Sequence, residues 1–368
     1  MKFKNKVLVS HFSDFVNSIS KTDRVAVLHH TDPDGVCSGV IISKLVERIR
    51  KKKIDLRINQ KGNVHHVEDS VISTLKKQRI NKVIVVDLNI DIYPASLRKL
   101  SRIADVLIID HHPAGPVNFK NVLVVKSAMV SDHSSRYCAA KLCYDLGMSV
   151  LDISDLDWLA AVGSIGDIAT GPFKPWLRSV FRKYNISINR DLFKTKLGEV
   201  AILISSAESF DYRNVKLCYD IVYKSRKFSD VLRSRLKVFR KKIDDELQHY
   251  IKNINSLADI YPELDLIIYE VSPKYNTKSP LCTLLGIKYP HKTILVADTR
   301  NSMVSVSARR GDSNVCVNNL LERAVKGWRN CNAGGHIPSA GAALPKKYYK
   351  KFKKRIVSLL EKGDFCEK

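Results

Sequence analysis

The sequence predicts a two-domain α/β protein: a parallel-sheet domain joined by a long helix to a smaller α/β domain. Three observations carry this. Through the first half, short runs rich in Val and Ile alternate with helical stretches, the pattern of strands buried on both faces of a parallel sheet. A long amphipathic stretch centred near residue 240 follows, and strand-like runs resume behind it. A length of 368 residues fits two domains, with three the alternative, each able to bury its own core.

The elements follow in order. Residues 25–29 read as a first strand and 35–50 as a helix, with Val36, Val40, Ile41 and Leu45 at helical spacing. Residues 54–58, 82–87, 105–110 and 122–125 read as further strands, with a short helix at 93–101. Helical segments at 134–146 and 156–167 come next. From 230 to 251, Leu232, Leu236, Phe239, Ile243, Leu247 and Ile251 recur every three or four residues. That spacing predicts one long helix, N-capped by Ser229 or Asp230, connecting the domains. Beyond it lie strands at 266–271, 293–298 and 303–308, a helix at 315–326, and a Gly-rich stretch at 333–343. The expected divisions are 1–225, a helical connector at 226–258, a second domain at 259–345, and a basic C-terminal helix or tail at 346–368.

Lys and Arg number 62 against 37 Asp and Glu, a formal charge of +25. Such an excess favours a polyanionic partner, nucleic acid ahead of an anionic membrane. The cations cluster: nine lie between Lys224 and Lys242, and seven between Lys346 and Arg355, interleaved with Tyr348, Tyr349 and Phe352. Aromatics among cations permit base stacking beside phosphate contact. Packing of Tyr349, Phe352 and Ile356 onto the domain competes with that reading. No apolar run is long enough to span a membrane, and no leader-like segment opens the chain. Eight cysteines without a C-x-x-C pair point to a reducing, cytoplasmic setting with neither disulfides nor a zinc site.

The chemistry gathers at strand ends. His29-His30-Thr31-Asp32-Pro33-Asp34-Gly35 follows the first strand, Asp87 ends the third, and Asp110-His111-His112 ends the fourth. Gly163-Ser164-Ile165-Gly166-Asp167 adds a further carboxylate. Polar residues just past the strand ends of a parallel sheet line its ligand crevice. Several carboxylates crowded there repel one another unless a cation is bound. His and Asp donors without thiolates favour Mn²⁺ or Mg²⁺ over Zn²⁺. Five or six such ligands suit two ions sharing a carboxylate, the arrangement of phosphoester hydrolysis.

These motifs resemble the four motifs of the DHH phosphoesterase superfamily. Downstream, Ser307-Ala308-Arg309, Gly334-Gly335-His336 and Ser339-Ala340-Gly341 resemble the signatures of its DHHA1 domain. The resemblance spans roughly residues 22–345 in the right order. It implies a Rossmann-like DHH domain and a smaller DHHA1-like domain. It assigns His30, Asp34, Asp87, His111 and Asp167 as metal ligands, Asp87 bridging. His112 would face the scissile phosphate, Asp110 would orient a ligand histidine, and His29 would turn back into the sheet. Arg309, Gly334, Gly335 and His336 would hold a phosphate or strand end. Three departures matter, one being Ala333 in A-G-G-H with Gly341-Ala342 shifted around the usual A-A-G, where substrate-end recognition is expected to differ. Val36 stands where the pyrophosphatase and nano-RNase branches carry a further Asp, whereas Asp32 gives H-x-D-x-D-G, closer to RecJ-type nucleases; Asp32 is therefore expected to compensate as a ligand. Arg136, in Ser134-Ser135-Arg136, offers either an added phosphate contact or a surface charge.

Three functions are consistent with these residues. The first is a metal-dependent, RecJ-like exonuclease on single-stranded DNA or RNA, using two Mn²⁺ with Mg²⁺ as the alternative. The second is a nano-RNase or phosphatase for short oligonucleotides or 3′-phosphoadenosine phosphate. The third is an inactive component of a replication or repair assembly. Replication or repair proteins and a second copy of the chain are the protein partners the resemblance leaves open.

Overall fold

A computed structural model describes residues 3–60, 66–133 and 136–363, with His336 described by its backbone alone. The chain divides into two units, Met1–Arg240 and Lys241–Lys368. In chain order the first holds α1 (Lys6–Asn17), β1 (Val25–His29), α2 (Pro33–Arg50), β2 (Leu56–Asn59), α3 (Asp69–Lys77), β3 (Lys82–Val86), α4 (Pro94–Ser101), β4 (Asp105–Asp110) and β5 (Val122–Lys126). Helices α5 (Ser127–Val130), α6 (Ala139–Met148), α7 (Asp157–Gly166), α8 (Lys174–Lys183), α9 (Lys196–Phe210), α10 (Val215–Lys224) and α11 (Phe228–Leu232) follow.

The five strands are parallel, in the order β2-β1-β3-β4-β5. Successive side chains of a strand point to opposite faces, and both faces here are apolar. Val25, Val27, Ile84, Val86, Leu107 and Ile109 pack with α2, α6, α7 and α9 on one side. Ala26, Leu28, Val83, Val85, Val106 and Ile108 pack with Leu75 of α3 and Leu97 and Leu100 of α4 on the other. That double burial is why the strands read as continuous Val/Ile runs. Because β1 lies between β2 and β3, the chain leaves β1 toward one edge and β3 toward the other. The crevice between their C-terminal ends is where such sheets bind ligands.

The single connector helix expected at 230–251 is two helices, α11 and α12 (Leu236–Lys252). The apolar spacing runs unbroken through the join, so periodicity gave no sign of it. Ser234 supplies the break: its hydroxyl accepts from the Leu236 N–H at 3.3 Å, the local side-chain bond that competes with a helix. Asp230 is not the N-cap; its carboxylate reaches back to the N–H groups of Arg226 and Lys227 at 3.0 and 3.2 Å. The division between the units falls inside α12.

The second unit continues with α13 (Ile254–Leu257), β6 (Asp259–Tyr261), β7 (Leu266–Val271), α14 (Lys278–Lys288), β8 (Thr293–Asp298), β9 (Met303–Arg309), α15 (Val317–Val325), β10 (Asn332–His336), β11 (Ser339–Pro345) and α16 (Lys346–Glu361). Its sheet is ordered β10-β11-β9-β8-β7-β6; β7 and β8 pair parallel, the other neighbours antiparallel. The Gly-rich stretch is thus a hairpin. Helix α16 is part of the core: Tyr349, Phe352, Ile356 and Leu360 pack with Leu320 and Leu321 of α15 and Val304 and Val306 of β9. The packing alternative therefore holds for Tyr349 and Phe352, and neither ring is available to stack a base. Cys316 is disulfide-bonded, contrary to the expectation of no disulfides, while Cys37, Cys138, Cys143, Cys218, Cys282 and Cys331 are free. Among the described residues no helix is long and apolar enough to cross a membrane.

Candidate metal centre

The sequence motifs converge at the crevice between β1 and β3. His30 follows β1, and Asp32 N-caps α2, accepting from the Gly35 N–H at 2.8 Å with Pro33 in the first turn. Gly35 admits this turn because a Cβ there would meet the His30 carbonyl at 2.5 Å. Asp34, in the first turn of the helix, is buried, and its two oxygens accept from the N–H groups of Ala139 and Ala140 at 2.8 Å each. Those donors are the unpaired N-terminal amides of α6, a natural cradle for a carboxylate. Asp87 follows β3 with φ +57 and Asp167 follows α7 as its C-cap. A left-handed non-glycine residue is strained, and such strain persists where the surroundings fix a side chain in place.

Distances define the cluster. His30 Nδ1 lies 3.1 Å from Asp32 Oδ2 and 3.5 Å from Asp87 Oδ2. The other Asp87 oxygen, Oδ1, lies 3.5 Å from His111 Nε2, and His111 Nδ1 lies 3.7 Å from Asp167 Oδ2. His30, Asp32 and Asp87 form one group of converging donors; Asp34, His111 and Asp167 form another; Asp87, Asp110, His111 and His112 overlap them. These residues can hold divalent metal.

The electrostatics point the same way. Burial, then the charges of Asp87 and Asp167, push the Asp34 carboxyl well above the usual range. Asp167 is pushed up to about 7 by burial and by Asp87 and Asp32, with His111 opposing. Burial opposes protonation of His111, yet the carboxylates of Asp87, Asp167 and Asp34 raise it to about 11. His30 is likewise raised against burial, by Asp32 and Asp87. The site thus gathers more negative charge than its own groups tolerate, the condition a bound cation relieves.

Asp110 and His112 form a separate arrangement. His112 Nδ1 lies 2.8 Å from Asp110 Oδ1, and Lys126 Nζ lies 2.5 Å from Asp110 Oδ2. Burial works against Asp110 ionising, but the His112 hydrogen bond and the charges of His112 and Lys126 outweigh it and hold the carboxyl well below the usual range. An ionised carboxylate only accepts, so His112 Nδ1 carries the proton. This corrects the expectation that Asp110 orients a metal-ligand histidine: its imidazole partner is His112. Lys126, which sequence reasoning missed, is fully buried, pairs with Asp91 at 2.8 Å, and sits opposite Asp110 in the β4–β5 register. Glu208 of α9 was missed as well. It accepts from the Thr31 hydroxyl, and burial and the Asp32 charge raise its carboxyl.

Other expected residues lie elsewhere. His29 is buried, stacks on Tyr219 at 4.9 Å and is lowered to about 4 by burial, so it stays out of the cluster. Val36 is buried and offers no donor. Arg136 is exposed; Ser134, Ser135 and the His336 side chain lie outside the described residues. In the second unit the register aligns Arg309, Ser339 and His336 across β9, β11 and β10, with Ala308, Ala340 and Gly335 in the next row and Ser307, Gly341 and Gly334 beyond. Gly335 has φ +138, and a Cβ there would meet Ala340 Cα and the Ser339 carbonyl at 2.7 Å.

A doubly wound sheet with a histidine–carboxylate cluster at its switch point defines an α/β protein with a cluster able to hold metal. Residues 24–161 match the DHH family, N-terminal domain. Over those residues the chain resembles that domain, and its fold is RecJ-like. An uncharacterized protein of Methanocaldococcus jannaschii is 28% identical over 207 residues, covering 54% of this chain and 40% of its own length. The chain thus spans about two fifths of that curated relative. Among solved structures, a DHH domain described as belonging to a family of ribosomal proteins matches with TM-score 0.75 at 14% identity, over 96% of this chain and 90% of that one. Exonuclease RecJ bound to manganese matches with TM-score 0.69 at 15% identity, over 96% and 94%. At such identities the likeness is one of fold.

Proposed function

We propose that this chain is a divalent-metal-dependent phosphodiesterase hydrolysing single-stranded nucleic acid from an end, a RecJ-like exonuclease. Asp87 carries the reading: its two oxygens face His30 and His111 at 3.5 Å each, as a carboxylate shared by two ions requires. His30, Asp32 and Asp87 would hold one ion; Asp34, His111 and Asp167, with Asp87 bridging, would hold the second. Oxygen and imidazole donors without thiolate suit Mn²⁺, with Mg²⁺ as the alternative. Bound there, the ions supply Lewis acidity toward a phosphoryl oxygen and toward water.

The chain's own groups do the rest. With Nδ1–H committed to Asp110, Nε2 is the His112 atom left to handle a proton, on a side chain 45% exposed. Carrying a second proton there, the imidazolium would donate Nε2–H to a phosphoryl oxygen as charge builds, and Asp110, itself held by Lys126, fixes the ring so that little reorganisation is needed. Arg309 would grip a phosphate through its forked donors, and Gly334 and Gly335 allow backbone approach beside it; His336 and Arg136 are further contacts on this reading. The +25 charge favours a long polyanion over a small ligand. The setting implied is cytoplasmic, beside replication or repair proteins.

The test is product analysis on end-labelled single-stranded DNA and RNA of matched sequence, with Mn²⁺. Mononucleotides released progressively from one end support the reading. Cleavage of two-nucleotide substrates alone contradicts it in favour of an oligonucleotide phosphodiesterase, and no Mn²⁺-dependent release contradicts it altogether.

A further inference from the structure

Helix α16 divides its residues sharply. Tyr349, Phe352, Ile356 and Leu360 are buried, whereas Lys347, Lys350, Lys351 and Lys354 are exposed. At about 100° per residue, Lys351, Lys347 and Lys354 follow Tyr348 around the helix on the side away from the buried face. Among the described residues, Lys353 is the lysine of this helix with acidic partners, Asp259 at 3.1 Å and Glu270 at 2.5 Å. The helix carries no acid before Glu361.

Tyr348 belongs to a stack the sequence did not reveal. Its ring lies 5.0 Å from that of Trp328, 18° from parallel, and the Arg355 guanidinium sits 4.4 Å from the Trp328 ring. Arg355 and Tyr348 thus both pack on the indole of Trp328. Arg355 is itself fixed, donating to the carbonyls of Ala324 and Lys326 at 3.1 and 2.9 Å, at the C-terminal end of α15. Tyr348 is therefore part of a packed Arg355–Trp328–Tyr348 column. It is half-buried; the Nζ of the exposed Lys347 lies 5.1 Å from its ring and would give way to a stacking base, and Lys326 and Arg329, which flank Trp328 in sequence, are exposed.

We propose that this column and the Lys347, Lys351 and Lys354 ammonium groups form a surface for single-stranded nucleic acid, with Tyr348 stacking a base and the lysines meeting flanking phosphates. The inference deepens the reading above and rests on it for the substrate class. A held aromatic beside unpaired cations is the combination that binds single strands without sequence preference. An anionic membrane fits less well, because an interfacial helix must bury its apolar face in lipid and this one packs that face into the protein core.

The test uses the full chain in EDTA, so that no hydrolysis is read. Fluorescence anisotropy with a labelled twenty-nucleotide oligothymidylate is followed across a salt series, with thermal melts of each variant as the check on folding. The Lys347→Glu/Lys351→Glu/Lys354→Glu variant should lower the magnitude of the log–log salt slope by about 2, since each single-strand phosphate contact contributes about 0.7. Tyr348→Leu should weaken binding roughly 5- to 150-fold, the range for losing one stacked base, with the slope unchanged. Unaltered affinity and slope in both folded variants would overturn the proposal. So would the triple variant losing affinity for 70:30 phosphatidylcholine–phosphatidylserine vesicles but not for the oligonucleotide. Mn²⁺-dependent degradation by the wild type is scored separately: its absence, with Tyr348-dependent binding intact, counts against the nuclease reading and not against this surface.

Discussion

Lys126 donates to Asp110 at 2.5 Å across the β4–β5 pairing, and both side chains are fully buried. Lys126 also pairs with Asp91 at 2.8 Å, so one ammonium serves two buried carboxylates. Replacing one partner of such a pair strands the other in a medium of low dielectric, at a cost of about 3–5 kcal/mol. Lys126→Met is therefore expected to lower unfolding free energy by that order in urea denaturation. Lys126→Met/Asp91→Asn should recover part of the loss, because one stranded charge goes with it.

The neighbouring glycines of β10 should differ in tolerance. At Gly335 a Cβ meets backbone atoms of the partner strand and φ is +138, whereas at Gly334 the nearest atom to a Cβ is Glu322 Oε1 at 3.9 Å. Gly335→Ala is expected to lower the melting temperature clearly, through a stability loss of at least the roughly 1–3 kcal/mol of a strained backbone. Gly334→Ala should melt close to the wild type.

Acid should weaken the second unit through Asp312. Hydrogen bonding from Arg310 chiefly, with help from Asn314 and His291 and against burial, holds its carboxyl at about 2. A carboxyl depressed on folding stabilises fully above its unfolded value, and the benefit is lost as pH falls through the folded one. Stability should therefore decline between about pH 4 and pH 2 in pH-dependent urea melts, and Asp312→Asn should flatten that part of the profile.

The legible and the hidden parts of this protein differ for physical reasons. The buried parallel strands advertise themselves because both faces are apolar, and the strand-end His and Asp residues stand out against such runs. The structure brings His30, Asp32, Asp34, Asp87, His111 and Asp167 together from four segments of the chain. Lys126 was hidden because only strand register sets it beside Asp110, and register is not written in local pattern. Glu208 was hidden because it reaches Thr31 from a helix 177 residues away. The β10–β11 hairpin escaped notice because Gly and Ala carry little strand preference. The join between α11 and α12 leaves the apolar repeat intact, so nothing in periodicity marks it. The run from Lys346 to Arg355 resembled a free basic tail until Tyr349, Phe352 and Ile356 proved to be core residues; truncation there would remove a wall of the second unit, and charge reversal is the cleaner change.

The central claim is that Asp87 joins two metal sites into one hydrolytic centre. Calorimetric titration of Mn²⁺ into the wild type and Asp87→Asn, with nucleotide release from an end-labelled single strand followed in parallel, tests it most directly. The account predicts two Mn²⁺ per wild-type chain, loss of at least one in the variant, and a fall in release of about 100-fold or more, of the order of losing one strong electrostatic contact in catalysis. Equal Mn²⁺ stoichiometry and undiminished release in Asp87→Asn would contradict it.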